Sequence, residues 1–428
     1  MKPCFTLLLL FLITFVQAQN YYYPPNESDQ WETMELDELG WCQENVDSLI
    51  QFLDEKNSKS FIILKEGKMV VEHYFDSFTQ DSLWYWASCS KSLMAVLLGL
   101  SQEDGVLNIE DVASEYLGTE WTSCETEDEQ VINIRHLISM ASGFDDAVEP
   151  AGSINNCFEP ECYECLAEPE TRWAYHNSAY RITQDILEMT TGMTKNLYTR
   201  NRLGNPIGMD GFWFNYIYFS KARDMARFGL FTLSEGSWDG NQIIQDQSYY
   251  NAMISSSQDI NQSYGYLWWL NGQESYMIPS LQFQFNGPIM PNAPSDLFAA
   301  LGKNDQKIYI VPSLDMVVVR QGNDAGGSPL AVSSFDNQLW EKIMELGCLT
   351  NTTELEEKQI AVFPNPVSDV LFIQNLPLGA NVELFTTRGR QVLKTTDAQL
   401  NLSSLSKGIY VLKVTSLGEQ KSFKIVKQ

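Results

Sequence analysis

Histidine is scarce in this chain: His73, His136 and His176 are the only three, too few for a histidine-rich metal site. Positive charge is thin as well, with 28 Lys and Arg against 55 Asp and Glu and a formal charge of −27. So acidic a surface excludes nucleic acid as a partner, because such binding rests on cationic neutralisation of phosphates. Beyond residue 18 no apolar run approaches the roughly 20 residues that a membrane helix needs. What is there, 44% hydrophobic with 26 Gly and 16 Pro, is ordinary globular composition. At 428 residues the chain can bury a core without a structural metal, and it has room for one large domain and a smaller one.

The two ends differ from the middle. Lys2, the apolar run Leu7 to Val16 and the small-residue site Val16-Gln17-Ala18 read as a signal peptide over residues 1–18. A polar N-terminal leader at 19–38 follows it. At the far end, residues 359–428 carry eight basic and four acidic side chains, so a basic tail follows an acidic body. Short alternating segments such as Val370-Leu-Phe-Ile and Tyr410-Val-Leu-Lys-Val predict strands separated by turns. The tail therefore reads as a small β-sandwich, joined through the polar linker 350–358 to a main domain at 39–349.

Seven cysteines follow the signal peptide: Cys42, Cys89, Cys124, Cys157, Cys162, Cys165 and Cys348. The Cys157, Cys162, Cys165 spacing suggests zinc, but no fourth ligand or second paired motif accompanies it. An exported chain meets an oxidising compartment, which favours disulfides. Cys42 and Cys348 bracket the main domain and are expected to join its first and last helices. Two bridges among Cys124, Cys157, Cys162 and Cys165 then leave Cys89 unpaired, in an apolar run where a small buried residue fits better than a reactive thiol.

Chemistry concentrates around Ser88-Cys89-Ser90-Lys91. The segment from Ser92 to Ser101 is apolar nearly all round and predicts a buried helix. A lysine one helical turn after a serine projects from the same face and can take the hydroxyl proton if its surroundings keep it neutral. Ser-x-x-Lys alone is weak, and a second copy, Ser404 to Lys407, falls in an expected loop of the tail. Downstream, Tyr175-His176-Asn177 offers a phenol that can shuttle protons and an amide that can bond both a lysine and a substrate carbonyl. Tyr249-Tyr250-Asn251 repeats that pattern, so it too is nonspecific by itself.

Taken together and in order, several segments carry a resemblance. They are Trp86-Ala-Ser88-Cys-Ser-Lys91, Gly105-Val-Leu-Asn-Ile-Glu-Asp111, Ile134-Arg-His-Leu-Ile-Ser-Met-Ala-Ser-Gly143, Tyr175-His-Asn177, Pro206-Ile-Gly-Met209 and Ile310-Val-Pro-Ser-Leu-Asp-Met-Val-Val-Val319. The chain from about Leu39 to Gly347 resembles the beta-lactamase-related serine hydrolases, the superfamily of class C beta-lactamases and penicillin-binding proteins. The resemblance implies an α+β fold, an antiparallel sheet flanked by helices with an all-helical subdomain. It also implies Ser88 as acylated nucleophile, Lys91 as base, Tyr175 as proton relay and Asn177 as the group orienting Lys91 and substrate. Phe363-Pro-Asn-Pro, Arg388-Gly389-Arg390, Leu405-Ser-Lys-Gly-Ile-Tyr410 and Lys424-Ile-Val-Lys look like the type A sorting domain of the type IX secretion system. That resemblance makes the secretion machinery a partner.

One family element departs. Where a basic residue opens a sheet-edge motif, the matching positions are Ala300-Leu301-Gly302. The glycine is expected where backbone approaches substrate closely, and the N–H groups of Ser88 and Lys303 are the expected oxyanion donors. Without the cation, a carboxylated, penicillin-like substrate is disfavoured. Lys303 is no replacement if it continues the strand, because its side chain then faces the other way. Trp268 and Trp269 are cleft or core candidates, with core preferred; His136 reads as a satisfied core histidine, and His176 receives no chemical role. The leading expectation is a secreted or cell-surface serine hydrolase acting on a small ester, amide or peptide, with no cofactor or metal. A cell-wall D-peptidase or beta-lactamase is the second reading, and a non-catalytic scaffold of the same fold the third.

Overall fold

The computed structural model describes residues 21–146, 157, 159–326, 332–348, 360–376, 380–387, 389–416 and 419–428. The expected signal peptide and the linker at 350–358 lie outside these residues. The chain divides into two compact units, Met1–Cys348 and Leu349–Gln428.

In the first unit, helix α1 (Gln43–Glu55) buries Val46, Leu49 and Leu53, the stripe of an amphipathic helix. Strands β1 (Ser58–Lys65) and β2 (Lys68–Tyr74) form the expected hairpin, with Glu66 and Gly67 both left-handed (φ 53° and 82°). A Cβ on Gly67 would strike the Tyr22 carbonyl oxygen, so the turn needs glycine for space as well as for φ. Tyr22 belongs to the leader, whose described part lies along this hairpin: Tyr22 N donates to Glu66 O and Met34 N to Met69 O, both at 2.9 Å. Buried Arg227 holds the same segment through the carbonyls of Pro24 (2.9 Å) and Pro25 (2.6 Å).

The short strand β3 (Trp84–Tyr85) leads into α2 (Cys89–Glu103), whose residues from Cys89 to Ser101 are all buried, as an apolar helix in a core must be. Next come α3 (Asn177–Thr191), the hairpin β4 (Phe212–Phe214) and β5 (Ile217–Ser220), and α4 (Ala222–Leu233). The chain ends this unit with β6 (Trp269–Leu270), β7 (Phe298–Gly302), β8 (Gln306–Val311), β9 (Met316–Gly322) and α5 (Ser334–Met344). The main sheet runs β2-β1-β9-β8-β7-β6, every pairing antiparallel. Its two halves come from opposite ends of the unit, with the helical segment between them in sequence, which is the α+β architecture expected.

Pairing register assigns the faces. Tyr309 meets Trp340 of α5 edge-on at 5.6 Å, and Phe52 of α1 stacks on Phe335 of α5 at 5.9 Å. On the other face, a Cβ on Gly229 of α4 would strike Val317, so glycine lets this helix lie close against the sheet. Ala300 pairs with Ile308, and Ile308 with Val319, so these three share the face carrying α2 and α4. Cysteine pairs link Cys42 to Cys348, Cys124 to Cys165 and Cys157 to Cys162, and Cys89 is free and buried. That is the expected allocation, now with its connectivity. In the repeated Tyr249-Tyr250-Asn251 both tyrosines are core and Asn251 is exposed; Tyr249 Oη donates to Ala95 O of α2 at 2.6 Å.

The second unit pairs a three-stranded sheet (Ala361–Phe363, Val370–Gln374, Gln399–Asn401) with a four-stranded one (Gln391–Thr395, Asn381–Thr386, Gly408–Ser416, Glu419–Lys427). Leu371, Ile373, Val382, Leu384, Leu412 and Ile425 fill the space between, a small sandwich. Ser404 and Lys407 are exposed between strands, with no helix to align them. Among the described residues no helix is long and apolar enough to cross a membrane.

Candidate active site

Ser88 sits at the N-terminal end of α2, partly exposed, with the rest of that helix's first turn buried. The preceding residue, Ala87, is left-handed (φ 49°), a costly conformation for a side chain with a Cβ. The turn is held on both sides. Trp86 N donates to Tyr218 O at 2.9 Å, Trp86 Nε1 to Ser220 Oγ at 2.8 Å, and Tyr218 N to Ser90 Oγ at 2.9 Å. Strand β5 thus fixes the backbone on both sides of Ser88.

Lys91 is 4% exposed and points back along α2. Its Nζ lies 3.3 Å from Ser88 Oγ and donates to Asn177 Oδ1 at 2.8 Å. It also lies over two phenol rings, 4.9 Å from the centre of Tyr175 and 4.5 Å from that of Tyr180. Burial first, and then the neighbouring Tyr175, push the Tyr180 phenol well above its ordinary range, so it stays protonated. Its hydroxyl donates to Tyr216 O at 2.7 Å. Tyr180 was not singled out in the sequence, although it lies three residues after Asn177 on the face that meets α2.

Tyr175 precedes α3, and Asn177 is that helix's first residue. Between them His176 caps the helix, its Nδ1 accepting from Ala179 N at 3.1 Å, which turns the ring away from the serine and sets Asn177 toward Lys91. His136 does similar work elsewhere, with Nδ1 accepting from Asn133 N at 3.2 Å; burial lowers its basicity. Tyr175 is half-buried against an aromatic wall: it stacks on Trp269 at 6.0 Å and meets Tyr264 edge-on at 6.2 Å. Trp269 is therefore a buried support for the phenol rather than a cleft surface. Trp268 is core outright, stacked on Phe228 at 5.9 Å.

Strand β7 brings the other rim. A Cβ on Gly302 would lie 2.6 Å from Trp86 O and 3.2 Å from Ala87 Cβ. The turn that carries Ser88 thus demands a glycine here for space. Lys303 also corrects an expectation: the strand ends at Gly302, and Lys303 opens a short 3-10 turn, Lys303–Asp305, so the alternation of a strand no longer governs it. Asn304 and Asp305 are left-handed (φ 58° each). Ala300 faces α2, and its carbonyl accepts from the Cys89 thiol at 3.2 Å. Ala300 therefore presents only a methyl group on the face that carries α2.

The turn after Gly302 is pinned by a buried ionic cluster absent from the sequence reading. Lys307 Nζ, fully buried, lies 3.1 Å from Asp305 Oδ1 and 2.7 Å from Asp336 Oδ1. Arg320, equally buried, donates to the carbonyls of Asn304 (3.1 Å) and Asp305 (2.8 Å). Ser333 Oγ and Ala325 N complete the Asp305 carboxylate at 2.7 and 3.1 Å. The only signal was Lys307 and Arg320 inside mostly apolar strands; Asp305 stands two residues before Lys307, but Asp336 comes from α5. Among the described residues no cluster of His, Cys, Asp or Glu is arranged to hold a metal ion.

The comparisons with known proteins agree with this architecture. An uncharacterised protein of Alkalihalophilus pseudofirmus is 23% identical over 325 residues, spanning 66% of this chain and 88% of its own. A putative 6-aminohexanoate-dimer hydrolase from Bacillus anthracis superposes with a TM-score of 0.57 at 18% identity, over 75% of this chain and 88% of that one. A class C beta-lactamase from Rhodobacter sphaeroides gives 0.51 at 15% identity, over 71% and 99%. At such identities the structures speak for the fold alone. Residues 361–428 match the secretion system C-terminal sorting domain, which indicates export to the cell surface or beyond. The beta-lactamase family model matches residues 46–337, more than half of the chain, and the chain belongs to that family.

Proposed function

We propose that this chain is an exported serine hydrolase that cleaves an ester or amide through an acyl-enzyme on Ser88. The observation that carries the reading is Lys91 Nζ, buried yet 3.3 Å from Ser88 Oγ, with Asn177 on its other side. Ser88 Oγ attacks the carbonyl carbon as its proton passes to Lys91. The oxyanion collects in front of the backbone N–H groups of Ser88 and Lys303. On collapse the carbon–leaving group bond breaks, and the proton returns through Lys91 and Tyr175 to the departing alcohol or amine. Water then repeats the sequence on the acyl-enzyme, giving up its proton to the same pair and releasing the acid. Asn177 orients Lys91 and the substrate.

Hydrolysis of a short-chain p-nitrophenyl ester by the mature chain from Gln19, beside Ser88→Ala, tests this. Turnover abolished in the variant at an unchanged melting temperature supports it; full retention of activity overturns it. A beta-lactamase or cell-wall D-peptidase activity is the second reading, favoured by family membership and opposed by the methyl of Ala300. It requires a penicillin adduct on the peptide containing Ser88, seen by mass spectrometry.

A further inference from the structure

We propose that an aromatic row on the outward face of the β3–β5–β4 sheet is the subsite for an apolar acyl group, so that the substrates are uncharged esters or amides of aromatic or medium-chain acids. This rests on the hydrolase reading above and extends outward from the same serine. The register pairs Tyr85 with Phe219 and Phe219 with Phe212, so three rings from three strands share one face. Phe219 stacks on Phe212 at 5.5 Å, lies 6.3 Å from Tyr85 and meets Phe214 edge-on at 6.3 Å. The alternate residues Trp213 and Tyr218 take the inner face and are buried there.

The outer row is different: Phe212 is 42% and Phe214 62% exposed. A contiguous aromatic surface open to water marks a binding face more often than chance packing. Its position says what it binds. Tyr85 lies three residues before Ser88, and its hydroxyl accepts from Asn304 Nδ2 at 2.8 Å, next to Lys303 on the opposite rim. The row therefore begins at the gap between Ser88 and Lys303, where the reacting carbonyl must sit, and leads away from it. Charge points the same way. Ala300 is neutral, the chain as a whole carries −27, and Lys303 is the one cation named at this gap. An acyl chain laid on these rings stays in place through both acylation and deacylation, so its contact serves both half-reactions.

The test is a p-nitrophenyl series, acetate to hexanoate and phenylacetate, on the mature chain, Phe212→Ser, Phe214→Ser and a control, Met344→Ser. Met344 is equally exposed but lies on α5, across the main sheet. The parent and control are expected to prefer hexanoate over acetate in kcat/KM by about tenfold or more, and the two Phe variants to lose most of that ratio. An unchanged ratio in both variants overturns the subsite and leaves the hydrolase reading standing. Binding of N-hexanoyl-p-nitroaniline, followed by tryptophan fluorescence in Ser88→Ala, needs no turnover. Chain-length-dependent binding lost in Phe212→Ser, with the parent inactive on every ester, upholds the subsite and overturns the hydrolase. Absence of both binding and turnover overturns both.

Discussion

Asn177 Oδ1 accepts from Lys91 Nζ at 2.8 Å, a closer contact than the 3.3 Å between that nitrogen and Ser88 Oγ. The amide comes from a different helix, so it fixes an amine whose flexible stem belongs to α2. Leaving one partner of a buried hydrogen bond unsatisfied costs about 1–3 kcal/mol. Asn177→Ala is therefore expected to lower kcat/KM about 10- to 100-fold, chiefly in kcat. Steady-state kinetics on a p-nitrophenyl ester decide it, and a kcat near the parent's removes Asn177 from this role.

Lys91→Met separates catalysis from stability. Methionine keeps the length of the buried stem and removes the amine. Loss of the proton acceptor is expected to cost at least about a thousandfold in kcat. Stability against urea is expected to hold or rise, since a desolvated polar group has gone. A collapse of the unfolding midpoint would show that Lys91 is structural.

Gly302→Ala probes the contact between strand and nucleophile. The added methyl meets Trp86 O at 2.6 Å, so either β7 or the Ser88 turn must move. Displacement near the reacting atoms is expected to reduce kcat/KM by about a hundredfold, with a smaller fall in melting temperature. Parallel kinetics and circular dichroism distinguish this from simple unfolding.

The ionic cluster makes a pH prediction. Burial alone would raise the Asp305 carboxyl, but Lys307, the Ser333 hydroxyl, the Ala325 N–H and Arg320 outweigh it and hold it below its ordinary range. A carboxylate depressed in the folded state contributes stability above its unfolded value, and that contribution is lost as pH falls through the folded one. Acid unfolding of the parent below about pH 4 is thus expected to be steeper than that of Asp305→Asn. Lys307→Met, which strands two buried carboxylates, is expected to cost about 3–5 kcal/mol at neutral pH by urea denaturation.

Sequence carried the local relationships well. Ser88 and Lys91 meet because one helical turn separates them, the Glu66-Gly67 hairpin follows from its turn residues, and the alternating tail strands follow from periodicity. Tyr175 and Asn177 were legible only through the order of motifs around them, since nothing local says that α3 lies against α2. The misses are tertiary. Where a strand stops depends on its neighbours, so Lys303 looked like strand and is turn. The packing of Gly302 against Trp86, 216 positions earlier, had no local signal. Lys307 joins Asp305 of the turn to Asp336 of α5, and a lone charge in an apolar strand does not name its partner.

Cys89 remains. Its thiol donates to Ala300 O and Gln306 O at 3.2 and 3.1 Å, and burial pushes its ionisation far above neutrality. The other six described thiols are tied in pairs, so this one sulphur is chemically silent only while α2 stays seated on β7 and β8. The reaction of Cys89 with an alkylating reagent therefore times the opening of that contact. Since Ser88 sits at the start of the same helix, the molecule holds its own gauge of how often that residue's platform comes apart.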